Sequence, residues 1–374
     1  MGLVWLLASL RDSSGFTAGW APVHPRGSNK LRLMSGNTKS SAPGRSQDLP
    51  PIRIVVTGAA GFIGGQLLQT LRGLYAASEL LAVDHPLKPA MGTAAEAFGG
   101  VRFLSHTQFL EALTAGILQP ELIFHLGACS STTETDWNYL ADNNLAYSQK
   151  LWNWAAAHGA RLLYASSAAT YGDGENGFDD SLELTRLCPL NLYGKSKHDF
   201  DLWIEEQQRQ RVPQPVQSVG FKFFNVFGPG EGHKGRMASM VLHGYHQILK
   251  EGTVRLFESH RPDYTHGGQL RDFIYVKDVV RVMLSFAERR EVSGLFNLGT
   301  GQARSFRDLI EATFAASGRP VSIEYIPMPE DLRGRYQYFT EATMTKTARA
   351  GVVYQPTPLE DAVADYVAWL RDNA

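Results

Sequence analysis

The chain alternates between short runs that are almost wholly apolar and longer stretches in which apolar residues recur at helical spacing. The first run is rich in β-branched residues and ends at Thr57-Gly58. The short runs cover residues 52–56, 80–83, 121–126, 161–165 and 218–224, and the helical stretches cover 62–74, 144–157 and 192–210. Apolar strands that alternate with helices predict a parallel sheet covered on both faces. We therefore predict an α/β fold with a doubly wound Rossmann sheet.

After residue 224, loops and shorter elements replace this regular alternation. Further strands are predicted at 271–276, 295–298 and 321–326, helices at 237–249 and 359–370, and loops at 228–235 and 258–270. Such elements commonly build a substrate lobe over the carboxyl ends of Rossmann strands. We predict a dinucleotide-binding domain over 51–224 with a returning segment at about 271–300. A smaller C-terminal α/β substrate-binding domain then covers 225–270 and 301–374.

Residues 1–50 differ in composition from the rest of the chain. From residue 13 to 51 the sequence is rich in Ser, Gly, Pro, Asn and Arg, which is typical of disordered linkers. The apolar stretch 1–10 lacks the basic region that a signal peptide needs. Two interpretations stay open: a genuine tail or transit segment, or translation that starts at Met34.

Composition narrows the class of protein. The 374 residues carry a net charge of −1, which gives no basic field for nucleic acid. The sequence contains no run of 18 apolar residues, so no membrane span is predicted. The two cysteines, Cys129 and Cys188, argue against a disulfide framework and fit a reducing compartment. We expect a soluble cytoplasmic protein with no metal site.

A glycine-rich turn follows the first strand. Gly58, Gly61 and Gly64 have the spacing that lets a backbone approach a pyrophosphate at a helix N-terminus. Asp84 ends the second strand, where a carboxylate would accept hydrogen bonds from the adenosine ribose of NAD. His85 and Lys88 follow closely and would instead suit the 2′-phosphate of NADP. Both cofactors stay open on this pattern.

Ser167, Tyr193 and Lys197 form the catalytic candidate. Tyr193 and Lys197 lie one helical turn apart on one face, and Ser167 ends a strand. A free Tyr has a pKa near 10. A nearby Lys ammonium and the positive charge of an oxidised nicotinamide both favour the phenolate. The set predicts hydride transfer to or from a carbinol. Lys234 lies in a Gly-rich loop, and its pattern alone does not distinguish a functional lysine from an ordinary solvated one.

Four strings carry a more specific resemblance. They are residues 125–134 (HLGACSSTTE), 164–172 (YASSAATYG), 224–235 (FNVFGPGEGHKG) and 334–337 (GRYQ). These strings strongly resemble the ADP-glyceromanno-heptose 6-epimerases, a group within the extended short-chain dehydrogenase/reductase family. The likeness runs from about residue 52 to 370. It implies interconversion of the D-glycero and L-glycero forms of ADP-manno-heptose at C6, in the synthesis of lipopolysaccharide core precursors.

The resemblance also implies roles for individual residues. The dinucleotide contacts carried over are Phe62, Ile63, Asp84, His85, Leu126, Gly127, Ala128, Cys129, Ser130, Asn143, Lys197, Val226 and Lys234. The substrate contacts are Ser167, Asn225, Arg236, His243, Phe257, Glu258, Ser259, His260, Arg271 and Tyr336. Tyr193 and Lys234 match the two acid–bases, which serve the two orientations of a 6-keto intermediate. The family further implies NADP as cofactor and a homo-oligomer, specifically a homopentamer.

Three other functions are compatible with parts of this pattern. A 4,6-dehydratase would need carboxylates beside Thr170, where the chain has Ala168-Ala169. A UDP-hexose 4-epimerase fits the general motifs but not the EGHKG string. A non-catalytic dinucleotide sensor would not need the set of Ser167, Tyr193 and Lys197.

Overall fold

The computed structural model describes residues 52–86, 97–333 and 336–373. The extension predicted over 1–50, with its alternative start at Met34, lies outside these residues. So does Lys88, the candidate ligand for a 2′-phosphate.

The predicted doubly wound parallel sheet is confirmed. Its seven strands are β1 (Ile54–Thr57), β2 (Leu80–Asp84), β3 (Arg102–Ser105), β4 (Leu122–His125), β5 (Arg161–Ser167), β6 (Gln217–Phe223) and β10 (Gly294–Leu298). They pair in parallel in the order β10-β6-β5-β4-β1-β2-β3. The order reverses between β1 and β4, and ligands of such sheets bind at the carboxyl ends of the strands at this point.

Helices cover the sheet and form most of the second lobe. They are α1 (Phe62–Leu74), α2 (His106–Thr114), α3 (Trp137–Leu140), α4 (Tyr147–His158), α5 (Leu192–Arg209), α6 (Met240–Glu251), α7 (Val276–Glu288), α8 (Phe306–Ala316), α9 (Glu330–Arg333), α10 (Thr345–Arg349) and α11 (Leu359–Asp372). Side-chain caps set several of their starts: the Asn191 side chain accepts from the Gly194 amide at 2.8 Å, and Ser305 and Asp308 form a capping box.

Two small sheets lie beyond the main one. Their strands are β7 (Asn225–Phe227), β8 (Val254–Phe257), β9 (Leu270–Tyr275), β11 (Ala303–Ser305) and β12 (Ile323–Ile326). The first sheet has the order β11-β9-β7, and the second pairs β12 with β8. One apolar core packs on each face of the main sheet, and a third lies under α6, α8 and α11.

The structure differs from the predicted elements at several places. Of the two strands expected to return to the sheet, only β10 does so, and β9 pairs with β7 and β11. We did not predict β3, α2, β8, α7 or α8. β3 is an edge strand with half-buried and exposed residues, so it lacks the continuous apolar run by which the other strands were found. The proposed domain boundaries stay a prediction.

Within the described part of the chain, no helix is long and apolar enough to cross a bilayer. In the same residues, no cluster of His, Cys, Asp and Glu side chains is placed to hold a metal ion.

Candidate active site

A cleft of about 400 Å³ opens where the strand order of the main sheet reverses. It brings together the glycine turn, the Tyr193/Lys197 pair and Lys234 from three separate parts of the chain. The predicted cofactor residues that line it are Gly58, Gly61, Phe62, Ile63, Gly64, Asp84, His85, Leu126, Gly127, Ala128, Ser130, Asn143, Lys197 and Lys234. Cys129 and Val226 lie in the adjoining backbone but do not line the cleft.

The glycine turn brings β1, α1 and β4 into close contact. Gly58 has a φ of +70°, and a Cβ there would lie 2.7 Å from the amide nitrogen of Gly127. A Cβ on Gly64 would overlap the carbonyl oxygen of Gly58. The N-cap of α1 is Gly61, and the first turn has no acidic residue. Amide N–H groups and the positive end of the helix dipole are thus available for an anion, which fits a dinucleotide pyrophosphate.

A buried polar chain holds the ends of β1 and β4 in register. The Gly127 amide donates to the Thr57 hydroxyl oxygen at 3.0 Å, and Thr57 Oγ1 lies 2.8 Å from His125 Nδ1. The other ring nitrogen of His125 bonds Ser148 Oγ at 2.8 Å. Burial lowers the pKa of His125 to about 3, so this ring stays neutral and serves as a structural link.

At one end of the cleft, both carboxylate oxygens of Asp84 accept hydrogen bonds from backbone amides. Its Oδ2 accepts from the Ala60 amide at 2.8 Å, and its Oδ1 accepts from the His85 amide at 2.7 Å. The rings of His85 and His106 meet edge to face, with centroids 4.6 Å apart. Both rings line the cleft, so this end presents two imidazoles beside the carboxylate.

A π-helical segment, Ala141–Ala146, joins α3 to α4 and places two asparagines. Asn143 lines the cleft. Asn144 is fully buried: its Oδ1 accepts from the Cys129 amide at 2.8 Å, and its Nδ2 donates to Ser196 Oγ at 2.9 Å. Asn144 therefore ties the cofactor loop after β4 to the helix that carries Tyr193 and Lys197. Sequence reasoning chose Asn143 and missed its neighbour.

Tyr193 and Lys197 lie on α5 as predicted, and Ser167 ends β5 beside them. Lys197 is 5% exposed, and its Nζ donates to the Ala165 carbonyl at 3.0 Å. Burial lowers the pKa of Lys197 to about 8. Burial also raises the pKa of Tyr193, which the Ser167 side chain lowers only in part. In the chain by itself, burial therefore outweighs the lowering of the phenol pKa that was expected from Lys197 together with an oxidised nicotinamide.

Behind this pair, α5 carries a second buried charge one turn further on. Asp201 Oδ2 accepts from the Ser166 hydroxyl at 2.6 Å and lies 3.3 Å from Lys222 Nζ. Both charged side chains are at most 1% exposed. Because removal of one partner leaves an uncompensated buried charge, such a pair holds its neighbours rigidly. It anchors the end of β5, and with it Ser167, against α5.

Lys234 approaches the cleft from the opposite side. It lies in short helical turns, Gly232–Met237, where we had predicted a loop. Its Nζ lies 5.0 Å from the centroid of the Phe62 ring and 3.8 Å from Glu231 Oε2. Burial lowers the pKa of Lys234, and the charge of Glu231 opposes that shift. The pattern left Lys234 ambiguous, and the structure places it as a half-buried ammonium at the cleft.

The predicted substrate residues form a separate cluster around β8 and β9. Arg271 is 1% exposed, and its guanidinium lies 5.4 Å from the Tyr336 ring centroid and 5.6 Å from that of Phe306. Phe257 packs against Tyr336, and His260 Nδ1 bonds the Tyr338 hydroxyl at 2.8 Å. Glu258 and Ser259 lie in the same segment, where the Ser259 amide donates to His266 Nδ1. Asn225 begins β7, beside β9.

Arg236 and His243, the other two predicted substrate contacts, lie close to each other on the chain segment that follows Lys234. Arg236 is exposed and follows Lys234 by two residues. The ring of His243 bonds the Arg236 backbone, and burial lowers its pKa. Neither residue lines the cleft itself, so their contact with a substrate stays a prediction.

Several residues that line the cleft escaped the sequence analysis. They are Thr57, Ala60, Val83, His106, Tyr147, Ala165, Ser166, Phe223 and His233. His106 is the most informative, and its signal was available: it directly follows β3, so recognition of that edge strand would have placed it with Asp84 at the carboxyl ends of the strands.

Comparison with known proteins agrees with this geometry. Residues 54–299 match the model of the NAD dependent epimerase/dehydratase family. The chain is 46% identical over 316 residues to an ADP-L-glycero-D-manno-heptose-6-epimerase of Nitratidesulfovibrio vulgaris, covering 84% of this chain and 96% of that protein. Its counterpart in Fusobacterium nucleatum is 44% identical over 325 residues, with the same coverage.

A solved structure resembles the fold as a whole. The Helicobacter pylori ADP-L-glycero-D-manno-heptose-6-epimerase superposes with a TM-score of 0.67 at 26% identity. The match covers 87% of this chain and 98% of that one.

Proposed function

The chain belongs to the NAD dependent epimerase/dehydratase family, and on that premise we propose that it interconverts the D-glycero and L-glycero forms of ADP-manno-heptose by inversion at C6. The observation that carries the proposal is that Tyr193 and Lys234, from different parts of the chain, line one cleft together with the glycine turn. A dehydrogenase needs one acid–base beside the nicotinamide. A second one suits an enzyme that must handle the reacting oxygen in two orientations.

The chain's own residues supply binding and proton transfer. The turn around Gly58 and the N-terminus of α1 would hold the pyrophosphate, and Lys197 would orient the nicotinamide ribose. The dinucleotide, when bound, would supply the acceptor and donor of the hydride that C6 loses and regains. Tyr193 and Lys234 would serve opposite orientations of the 6-keto intermediate, one removing the hydroxyl proton and the other restoring it. Since the hydride returns, the overall reaction needs no added reductant.

Purified protein incubated with ADP-D-glycero-manno-heptose should produce a mixture of the two C6 epimers without added reductant. Separation of the epimers by chromatography measures the conversion. The same preparation should leave UDP-glucose unchanged. Inversion at C4 of UDP-glucose, with none at C6 of the heptose, would instead favour the rival 4-epimerase and overturn the proposal.

We further propose NADP as the cofactor. Beyond Asp84 the cleft ends at His85 and His106, and His106 Nδ1 is buried without a hydrogen-bond partner among the described residues. Burial and the neighbouring His85 lower the pKa of His106. A 2′-phosphate there would gain imidazole donors and favour their protonation, while NAD offers nothing to these rings. A basic side chain at Lys88 would add to this site.

The cofactor proposal predicts the effect of a His106→Ala variant. Its affinity for NADP should fall about tenfold, the worth of one charge-assisted hydrogen bond, while its affinity for NAD changes little. Because phosphate binding favours protonated imidazoles, NADP affinity in the unaltered protein should weaken as pH rises above neutrality. Titration calorimetry with both dinucleotides measures this. His158→Ala, at the exposed end of α4, is the control. Equal affinity for both dinucleotides in the unaltered protein would contradict NADP specificity.

The curated relatives are ADP-L-glycero-D-manno-heptose-6-epimerases, whose activity the resemblance assigns to lipopolysaccharide precursor synthesis. We therefore also infer that place for this chain. The homo-oligomer implied by the resemblance belongs to the same proposal. Size-exclusion chromatography with light scattering measures the subunit number directly.

A further inference from the structure

The segment between β7 and α6 contains a carboxylate that the proposed acid–base pair leaves unexplained. The Glu231 side chain is 0% exposed. It accepts hydrogen bonds from the Ser239 amide at 2.7 Å, from the Ser239 hydroxyl at 2.5 Å and from the Gly228 amide at 3.4 Å. Burial raises the pKa of Glu231, and the charge of Lys234 together with these hydrogen bonds opposes that shift and favours the charged carboxylate.

One cation faces this carboxylate. Lys234 Nζ lies 3.8 Å from Glu231 Oε2, while 23% of the Lys234 side chain remains exposed at the cleft. The lysine therefore has its inner side against a buried anion and its outer side toward the space for substrate. Opposite charges at this separation favour the charged form of both groups.

The other titratable groups nearby do not supply a second anion. His233 lies on the same helical turns, and His243 approaches from α6. Tyr366 of α11 faces Glu231. Burial, and after it the charge of Glu231, raise the pKa of that phenol, so it stays neutral. Among the groups that the structure describes around Lys234, Glu231 thus carries the full negative charge.

We propose that Glu231 is a positioning residue that keeps Lys234 as an ammonium at the cleft, so that Lys234 enters the catalytic cycle as the proton donor and Tyr193 as the acceptor. The inference rests on the proposed function, because it concerns how the two acid–bases divide their roles.

The proton balance follows from this order. Tyr193, in the phenolate form that the positive charge of a bound oxidised nicotinamide would favour, takes the proton of the C6 hydroxyl as the C6 hydrogen leaves as hydride to that dinucleotide. After the keto group is reoriented, the hydride returns to the other face of C6, and Lys234 gives its proton to the oxygen. The protein then has a neutral Lys234 and a protonated Tyr193. Exchange with solvent, or conversion of the opposite epimer, restores the starting state.

A Glu231→Gln variant tests the role of the charge, because the amide keeps the shape and an acceptor oxygen. Without the anion, Lys234 loses its proton more easily, so the alkaline limb of the kcat–pH profile should move down by about one to two pH units. The profile is measured on the cofactor-loaded enzyme, together with cofactor content and thermal unfolding.

A matched control is Asp278→Asn. Asp278 is also a buried carboxylate, and it accepts from the Thr357 amide at 2.8 Å and the Thr357 hydroxyl at 2.9 Å, but it does not line the cleft. Its loss should lower stability and leave the alkaline limb in place. A folded, cofactor-loaded Glu231→Gln enzyme with an unchanged limb would overturn the inference.

A measurement on the unaltered protein keeps the test decisive if the Gln variant does not fold. The pH dependence of Lys234 acylation by a small amine-reactive ester, located by peptide mass spectrometry, reports its protonation. Half-maximal labelling above neutral pH supports the inference, and half-maximal labelling below it overturns it. Absence of C6 inversion in the unaltered enzyme would refute the proposed function, whereas labelling tests the protonation of Lys234 independently of turnover.

Discussion

The Tyr193→Phe variant should lose about 10²–10⁴-fold in kcat for C6 epimerisation while it keeps its fold and bound dinucleotide. In the proposed mechanism, the phenol oxygen is one of the two groups that exchange a proton with the C6 oxygen. Phe retains the ring and its packing on α5 but removes that exchange. Conversion followed by chromatography gives kcat, and circular dichroism with cofactor quantification verifies the fold. Tyr75→Phe, at the exposed end of α1, is the control and should retain full activity.

Lys234→Met should cause a loss of the same size for the opposite orientation of substrate. In each single variant, oxidation of one epimer persists, because the remaining acid–base still serves one face. In Tyr193→Phe this oxidation requires a deprotonated Lys234, so it should increase with pH. Single-turnover mixing with each epimer separately should therefore show reduced nicotinamide with one epimer in Tyr193→Phe and with the other in Lys234→Met. Near-ultraviolet absorbance follows the reaction. Lys250→Met, an exposed position near the end of α6, is the matched control.

The double variant decides whether the mechanism is correct. Loss of both acid–bases should abolish turnover in both directions. Full turnover by the Tyr193→Phe, Lys234→Met protein would refute the assigned roles. Equal behaviour of the two epimers in both single variants would instead indicate that one residue serves both faces.

Gly64→Ala should both destabilise the protein and prevent it from holding its dinucleotide. The added Cβ would overlap the Gly58 carbonyl oxygen and lie 2.7 Å from the Gly58 carbonyl carbon. Backbone cannot swing aside as a flexible side chain can, so α1 would have to move away from the turn. Overpacking of this kind costs about 1–3 kcal/mol of unfolding free energy. The displaced amide N–H groups would lose the pyrophosphate, which calorimetric titration measures.

The adjacent residue provides the matched control. A Cβ on Gly65 would have its nearest neighbour, the Ala59 carbonyl oxygen, at 3.5 Å, which is an ordinary contact. Ala is favoured over Gly in a helix by about 1 kcal/mol, so Gly65→Ala should leave stability unchanged or raise it. Normal dinucleotide affinity in Gly64→Ala would show that the close approach of α1 to the turn is not required.

The regular part of the fold was accessible to sequence reasoning because it obeys local rules. β1, β4, β5 and β6 are buried on both faces, so their apolar runs are nearly continuous. The edge strand β3 and the helices α7 and α8 were missed. β3 has no continuous apolar run. α7 and α8 each bury an apolar face, α7 against the main sheet and α8 in the second lobe, so their helical spacing was a local signal that sequence reasoning overlooked. The strand at 271–276 was recognised, but its partner was wrong, since pairing depends on contacts distant in sequence.

The residues of the site also differ in whether their sequence signal is local. Gly58, Asp84, Tyr193 and Lys197 have signals within a short segment: a turn, a strand end or one helical turn. Asn144 does not, because its role depends on neighbours far along the chain. Asn144 is recognisable only once Cys129 and Ser196 are seen to lie on either side of it.

The sequence by itself determined the class of fold, the dinucleotide turn and the hydride-transfer pair, since each follows from local spacing and hydrophobic periodicity. Only the tertiary structure decided how charge is arranged around them. It showed Asp201 paired with Lys222 one helical turn beyond Lys197, and Glu231 buried behind Lys234. The physical reason is that the pKa and orientation of a side chain depend on burial and on charges brought near by folding, which no local pattern records.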